Sequence, residues 1–200
     1  MKTGLVSILI CTYNADQTIE KTLRSCLDQT YEMIEILIHD DQSQDETLKV
    51  IESIKDLRIK VIVSWKKLGP YRGLNFLLDV AQGEYIAIQD HDDLWNPEKL
   101  EKQVHYLQSN PNMIGCGTKT LMYYESDQKW FEYYLWDKSY YTIHPSLVFR
   151  NQGFRYPTET VYMTDAYFQK KILCDGKKLI HNIDQTLTLH LVKSAASNYS

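Results

Sequence analysis

Asp90-His91-Asp92-Asp93 sets three carboxylates within four consecutive residues. Carboxylate oxygens are hard ligands that suit Mg²⁺ or Mn²⁺ and not zinc. Three like charges this close repel one another until a cation relieves them. A second acidic pair, Asp40-Asp41, opens the run Asp41-Gln42-Ser43-Gln44-Asp45, and a third polar run is Thr12-Tyr13-Asn14. The sequence has no G-x-G-x-x-G and no G-x-x-x-x-G-K-[ST], so a bound phosphate would be held against these carboxylates by a divalent cation and not by a glycine loop. Both acidic runs also have a plainer reading. Asp90 to Asp93 fits a solvated turn before a helix start at Asn96, and Ser43 or Asp45 fits a helix N-cap. The two uses can coexist.

The elements that must position these runs are legible in the hydrophobic pattern. Residues 5–11 form a nearly continuous apolar run, as in a parallel strand covered on both faces. Residues 16–29 follow with Ile19, Leu23, Cys26 and Leu27 on one helical stripe. Residues 34–39 read as a second strand, 45–54 as a second helix and 59–64 as a third strand. Gly69-Pro70 opens a helix to about residue 82, which Gly83 stops. Residues 84–89 read as a fourth strand, and Asn96-Pro97 starts a helix carrying Leu100, Val104 and Leu107. Beyond residue 110 the pattern is less regular, with strands expected at 113–124 and 142–150 and a helix at 164–174, capped by Thr164 and ended near Gly176. Alternating strands and helices predict an α/β fold: a single, mostly parallel doubly wound sheet with helices on both faces. In such sheets ligands bind beyond the carboxyl ends of the strands, where all three polar runs fall.

Composition narrows the class. The 200 residues carry 22 basic and 26 acidic side chains, a net charge of −4, and are 44% hydrophobic. That is ordinary globular composition, which excludes disordered and collagenous chains. The mild acidity argues against nucleic acid as a partner. Cys11, Cys26, Cys116 and Cys174 form no CxxC pair and read as buried thiols of a reducing cytosol. No apolar run reaches the ~20 residues of a membrane span, and the first residues enter a strand too soon for a signal peptide. A cytoplasmic location is expected. Contact with the inner membrane face, and assembly with further subunits, stay open.

Together these segments resemble the family 2 glycosyltransferases, which have the GT-A fold. The resemblance runs through residues 6–14, Leu27-Asp28-Gln29-Thr30-Tyr31, residues 40–47, and Gly83-Glu84-Tyr85-Ile86-Ala87 leading into residues 90–100. It is strongest over the first 110 residues and extends more weakly to nearly the whole chain. It implies one domain over residues 1–200, with a nucleotide-sugar-binding half (1–110) and an acceptor-binding half (111–200). It further implies inverting transfer of a sugar from a nucleotide-diphosphate donor, UDP-sugar by default, to a hydroxyl of a glycan or glycolipid acceptor, with Mn²⁺ or Mg²⁺ as cofactor.

By the same resemblance, Thr12, Tyr13 and Asn14 line the nucleotide pocket, and Asp41 with Asp40 binds base or ribose. Asp90-x-Asp92 is the DxD motif, Asp92 the direct metal ligand with Asp93 close by. Asp165 is the matching acid of the catalytic-base block, and His190 with Lys193 belongs to the block that reaches metal and diphosphate. The family's arginine before Asn75 is Leu74 here, which leaves Arg72 as a substitute for the diphosphate contact, and Asn75 and Asp90 are counted with Arg72 among the nucleotide-binding residues. His144 lies in a family-like block near acceptor or diphosphate, and Trp95 is the expected acceptor platform. Asp165 also fits plain helix-start preferences. Nine of the nineteen residues from Tyr123 to Tyr141 are aromatic. An acceptor wall, an exposed patch and core packing all fit that stretch. The alternative to an enzyme is a catalytically silent nucleotide- or glycan-binding module of a larger synthase.

Overall fold

The apolar run at the N-terminus forms strand β1 (Lys2–Thr12), whose alternate side chains serve two cores. Val6, Ile8 and Ile10 face one core and Leu9 the other. A strand buried on both faces needs parallel neighbours fed by crossover helices. β2 (Ile34–Asp40) and β4 (Gly83–Asp90) duly flank β1 in parallel, with β3 (Ile59–Val63) beyond β2. α1 (Ile19–Leu27), α2 (Thr47–Ser53) and α4 (Lys99–Ser109) contribute Leu23, Ile51 and Val104 to the first core. α3 (Pro70–Val80) contributes Leu74, Leu77 and Leu78 to the second. Gly73 lets α3 lie against the sheet. A Cβ there would stand 2.8 Å from both Cys11 Sγ and His39 Nδ1.

The computed structural model describes residues 1–133, 141–159, 163–175, 177 and 179–192. Among them one sheet continues past β4 with order β3-β2-β1-β4-β8-β6-β9-β5, and β7 pairs with β6. β5 is Leu94–Trp95, β6 Gly115–Tyr124, β7 Lys129–Tyr133, β8 Val148–Arg150 and β9 Ile180–Val192. The sheet is parallel through β4, then mixed, because β8 runs antiparallel to both β4 and β6.

Three local expectations change. The strand expected over 142–150 is a 3₁₀ turn, His144–Ser146, followed by the short β8. Pro145 has no N–H to give a ladder, so pairing starts after it. Gly83 does not stop α3, which ends at Val80. Gly83 begins β4 instead, donating its N–H to Ser7 Oγ at 2.9 Å. The helix over 164–174 splits into α5 (Thr164–Tyr167) and a wider π segment (Phe168–Leu173), entered through Met163 in left-handed conformation (φ 52°, ψ 59°) and not through a Thr164 cap.

A lysine lies inside the first core. Lys99 is 0% exposed; its Nζ donates to Gln103 Oε1 at 2.7 Å and sits 4.0 Å from the centre of the Trp95 ring. Burial pulls its pKa down to about 7. An unfolded lysine titrates near 10.4, so between these values the unfolded chain binds the extra proton and stability rises with pH. Lys99→Met is therefore expected to stabilise the fold by on the order of 2 kcal/mol near pH 6–7, net of the orphaned Gln103 oxygen. That gain should shrink toward pH 10, as urea unfolding at several pH values would show. A gain that does not vary with pH would contradict the lowered pKa of Lys99.

Candidate active site

The carboxyl ends of β2, β1 and β4 lie side by side, so chain connectivity alone sets Asp41, Thr12 and Asp90 in that order along one rim. A cleft of about 480 Å³ opens there, within the range of ligand pockets. Its walls include Thr12, Tyr13, Asp41, Asp90, Asp92 and, from the later half of the chain, His144 and Asp165. Thr12 Oγ1 and Gln89 Oε1, also in these walls, are buried with no hydrogen-bond partner among the described residues. Buried polar atoms in that state are suited to a polar ligand.

The acidic end of β4 is organised by β9. Asp93, 0% exposed, accepts from Leu191 N–H through Oδ1 at 2.9 Å and contacts His190 Nδ1 through Oδ2 at 2.7 Å. Ligand atoms of Asp90, Asp93 and His190 all lie within 4.8 Å of one another. Burial and then the charge of Asp93 push Asp90 up to about 7. Burial opposes protonation of His190, but the Asp93 hydrogen bond and the surrounding carboxylates outweigh it and raise His190 to about 9. One imidazolium thus partly offsets the three crowded carboxylates. The set fits Mn²⁺ or Mg²⁺ through its oxygens, with an imidazole that Mn²⁺ also accepts. Asp93 also fastens His190 through Nδ1, an arrangement common around metal-binding histidines, while its carboxylate keeps lone pairs within the same cluster.

The other wall is aromatic. His144 Nε2 and the Tyr156 hydroxyl lie 2.8 Å apart, and Tyr71 packs against Tyr156 with ring centres 5.6 Å apart. Burial lowers His144 to about 4, against the pull of the Asp165 charge, so its ring is neutral at pH 7. Burial, then the charge of Asp165, raises Tyr71 to about 12. Tyr71 and Tyr156 were not singled out from the sequence. The one signal for Tyr71 was its place just inside the Gly69-Pro70 helix start.

Several residues expected to contact a ligand are engaged with the protein itself. Asp40 is 0% exposed and accepts the Ser43 N–H at 3.0 Å and the Ser43 hydroxyl at 2.5 Å, so it shapes the turn and cannot reach a ligand. Asn14 is exposed, outside the cleft walls, and bonds Ser43 and Gln44 across the loops. Asn75 bonds the Tyr156 peptide with both ends of its amide, at 2.9 and 2.7 Å, so its orientation is set by that peptide. Arg72 donates to the Thr158 carbonyl and faces a neighbouring groove. Trp95 is 5% exposed, its indole N–H on the Pro145 carbonyl at 2.9 Å, so it is core and presents no stacking face to an acceptor. Asp41 lines the cleft while accepting the Leu68 and Gly69 N–H groups at 2.7 and 3.0 Å.

Lys193 and, in the aromatic stretch, Tyr134, Trp136 and Tyr140 lie outside the described residues. The described part of that stretch is a hairpin with Trp130, Phe131 and Tyr133 exposed, which excludes core packing for these three.

The fold is one of glycosyltransferases, the GT-A fold. The chain superposes on S. aureus TarS in complex with UDP-GlcNAc at a TM-score of 0.82 and 21% identity, covering 98% of this chain and 62% of that one. It superposes on the mannosyltransferase PcManGT from Pyrobaculum calidifontis, in complex with GDP-Man and Mn²⁺, at a TM-score of 0.72 and 20% identity, over 98% of this chain and 58% of that one. Residues 7–168 match Glycosyl transferase family 2, and the chain belongs to that family. It is 44% identical over 105 residues to the UDP-Glc:alpha-D-GlcNAc-diphosphoundecaprenol beta-1,3-glucosyltransferase WfaP of Escherichia coli, covering 52% of this chain and 42% of the relative. It is 40% identical over 116 residues to an uncharacterized glycosyltransferase of Haemophilus influenzae, covering 57% and 36%. The chain therefore spans less than half the length of these two curated relatives. No helix among the described residues is long and apolar enough to cross a membrane.

Proposed function

We propose that this chain carries the donor-binding and catalytic unit of an inverting glycosyltransferase, which moves a sugar from a UDP-sugar to a hydroxyl of a glycan or glycolipid. One observation carries this: a single cleft gathers Thr12, Tyr13 and Asp41 from the first two strand ends, the Asp90–Asp92 carboxylates from the fourth, and Asp165 from beyond β8. The names of WfaP and TarS supply the donor class, and that of WfaP suggests a lipid-linked acceptor at a membrane surface.

Thr12, Tyr13 and Asp41 hold the nucleoside, with the Thr12 hydroxyl, which has no partner among the described residues, ready to bond it. Asp90, Asp92 and His190 would hold the cation, with Asp93 fastening His190 from behind. When bound, the cation supplies Lewis-acid stabilisation of the departing diphosphate. Asp165 takes the proton of the acceptor hydroxyl as that oxygen bonds to the anomeric carbon and the carbon–diphosphate bond breaks on the opposite face. Neutral His144, beside Asp165, orients the acceptor and adds no charge. The walls hold the reactants in line, which accounts for about 7–11 kcal/mol of the barrier in well-oriented reactions.

A thermal-shift screen of nucleotide-sugars with and without Mn²⁺ tests the reading. A UDP-sugar at 100 times its Kd should stabilise the fold by about 2.7 kcal/mol, and only with the metal present. A screen in which no nucleotide-sugar shifts the melting temperature removes the proposal. Metal-dependent binding with no hydrolysis of the donor would instead identify a silent binding module.

A further inference from the structure

We propose that Gln169 is a positioning residue for the reaction: its side-chain amide grips the Thr142 peptide and thereby sets Asp165 against His144 in the cleft. The inference rests on the base role proposed for Asp165.

Gln169 is 0% exposed. Its Nε2 donates to the Thr142 carbonyl at 3.0 Å and its Oε1 accepts the Thr142 N–H at 2.8 Å. A side chain here makes both bonds of a ladder rung. Gln169 lies four residues after Asp165 on the same helical segment, and Thr142 two residues before His144, and both functional residues line the cleft. The grip therefore joins the segment that bears Asp165 to the turn that bears His144.

Its far end is anchored in the core. Thr142 Oγ1 and Ser146 Oγ lie 2.7 Å apart, and Gln103 Nε2 donates to the Ser146 carbonyl at 2.9 Å. Gln103 in turn accepts from Lys99. Lys99, Gln103, Thr142, Ser146 and Gln169 are each 1% exposed or less, so this is a buried polar chain from α4 to the helix that bears Asp165. Gly117 makes room for it: a Cβ there would stand 1.8 Å from Thr142 Oγ1.

The segment needs such an anchor. Asp165 sits between Met163, left-handed without being glycine, and the π segment that begins at Phe168. Both are costly conformations that persist only where surroundings enforce them, and both recur at functional sites. An α5 of four residues cannot hold that geometry by itself.

The test compares the intact chain with Gln169→Met, Gln169→Glu and Asp165→Asn. UDP-glucose hydrolysis with Mn²⁺ is followed, water standing in for the acceptor hydroxyl, and UDP-glucose affinity is measured separately. Gln169→Met is expected to keep donor affinity within about twofold while kcat falls by about 10²-fold, the scale of a 1 Å misplacement. Gln169→Glu can restore both bonds only as the neutral acid, so its activity relative to the parent chain should approach unity at pH 6 and fall by pH 8. That pH-dependent recovery also decides the matter if Gln169→Met fails to fold. A folded Gln169→Met with parental kcat, or donor affinity lost in step with kcat, or a pH-independent Glu variant, overturns the proposal. If Asp165→Asn is inactive and Gln169→Met is not, the positioning role alone falls. An Asp165→Asn chain of full activity removes the base and the positioning role together.

Discussion

Asp165→Asn is expected to bind a UDP-sugar with Mn²⁺ as tightly as the parent chain and to lose about 10²–10⁴-fold in turnover, the usual worth of a positioned general base. Asparagine keeps the shape and most of the hydrogen-bonding capacity of aspartate but cannot accept a proton. The donor contacts proposed above lie at the ends of β1, β2 and β4, whereas Asp165 arrives from a different part of the chain, in α5. Binding and chemistry should therefore separate cleanly. Calorimetric titration of the donor beside a transfer or hydrolysis assay makes the comparison. Turnover above about a tenth of the parental rate would reduce Asp165 to a helix-start residue. The conformations that flank Asp165 argue against that outcome, since a plain helix start needs neither a left-handed methionine before it nor a π segment after it.

Asp92→Asn is expected to weaken Mn²⁺ binding by about 10²-fold or more and to abolish metal-dependent donor binding with it. Even groups that only orient a metal ligand are worth about 10–100-fold, and Asp92 is proposed as a ligand itself. Without metal the variant should be no less stable than the parent, because one of three crowded carboxylates loses its charge. Asp93→Asn would strike differently, since Asp93 is buried beneath the cleft and fastens His190 and Leu191. Apparent Mn²⁺ affinity of the parent chain should also rise with pH between about 6 and 9. Asp90, raised to about 7, and His190, raised to about 9, must give up protons before the cation binds. Parental Mn²⁺ affinity in Asp92→Asn would sink the assignment of Asp92 to the metal.

How much of this was legible in advance follows from where each signal lives. The β1 run and the stripes of α1 and α4 are local patterns, and local patterns carry the alternation that defines an α/β sheet. The strand-end rule then located Thr12, Asp41 and Asp90 without coordinates. Residues whose roles depend on partners far along the chain were not legible. Asn75 reads as a ligand contact until Tyr156, 81 residues on, takes both its ends. Trp95 reads as a platform until Pro145 and Lys99 enclose it. Asp40 and Asp41 are adjacent in sequence, yet one points into the turn and the other lines the cleft.

The sequence by itself determined the family, the parallel half of the sheet and the acidic strand end, because hydrophobic period and short motifs act over a few residues. Only the tertiary structure decided that Asp93 serves His190, that His144 is neutral, and that a buried amide joins the Asp165 segment to the His144 turn. Those outcomes turn on burial and on hydrogen bonds between residues 27 to 97 positions apart, which no local pattern records.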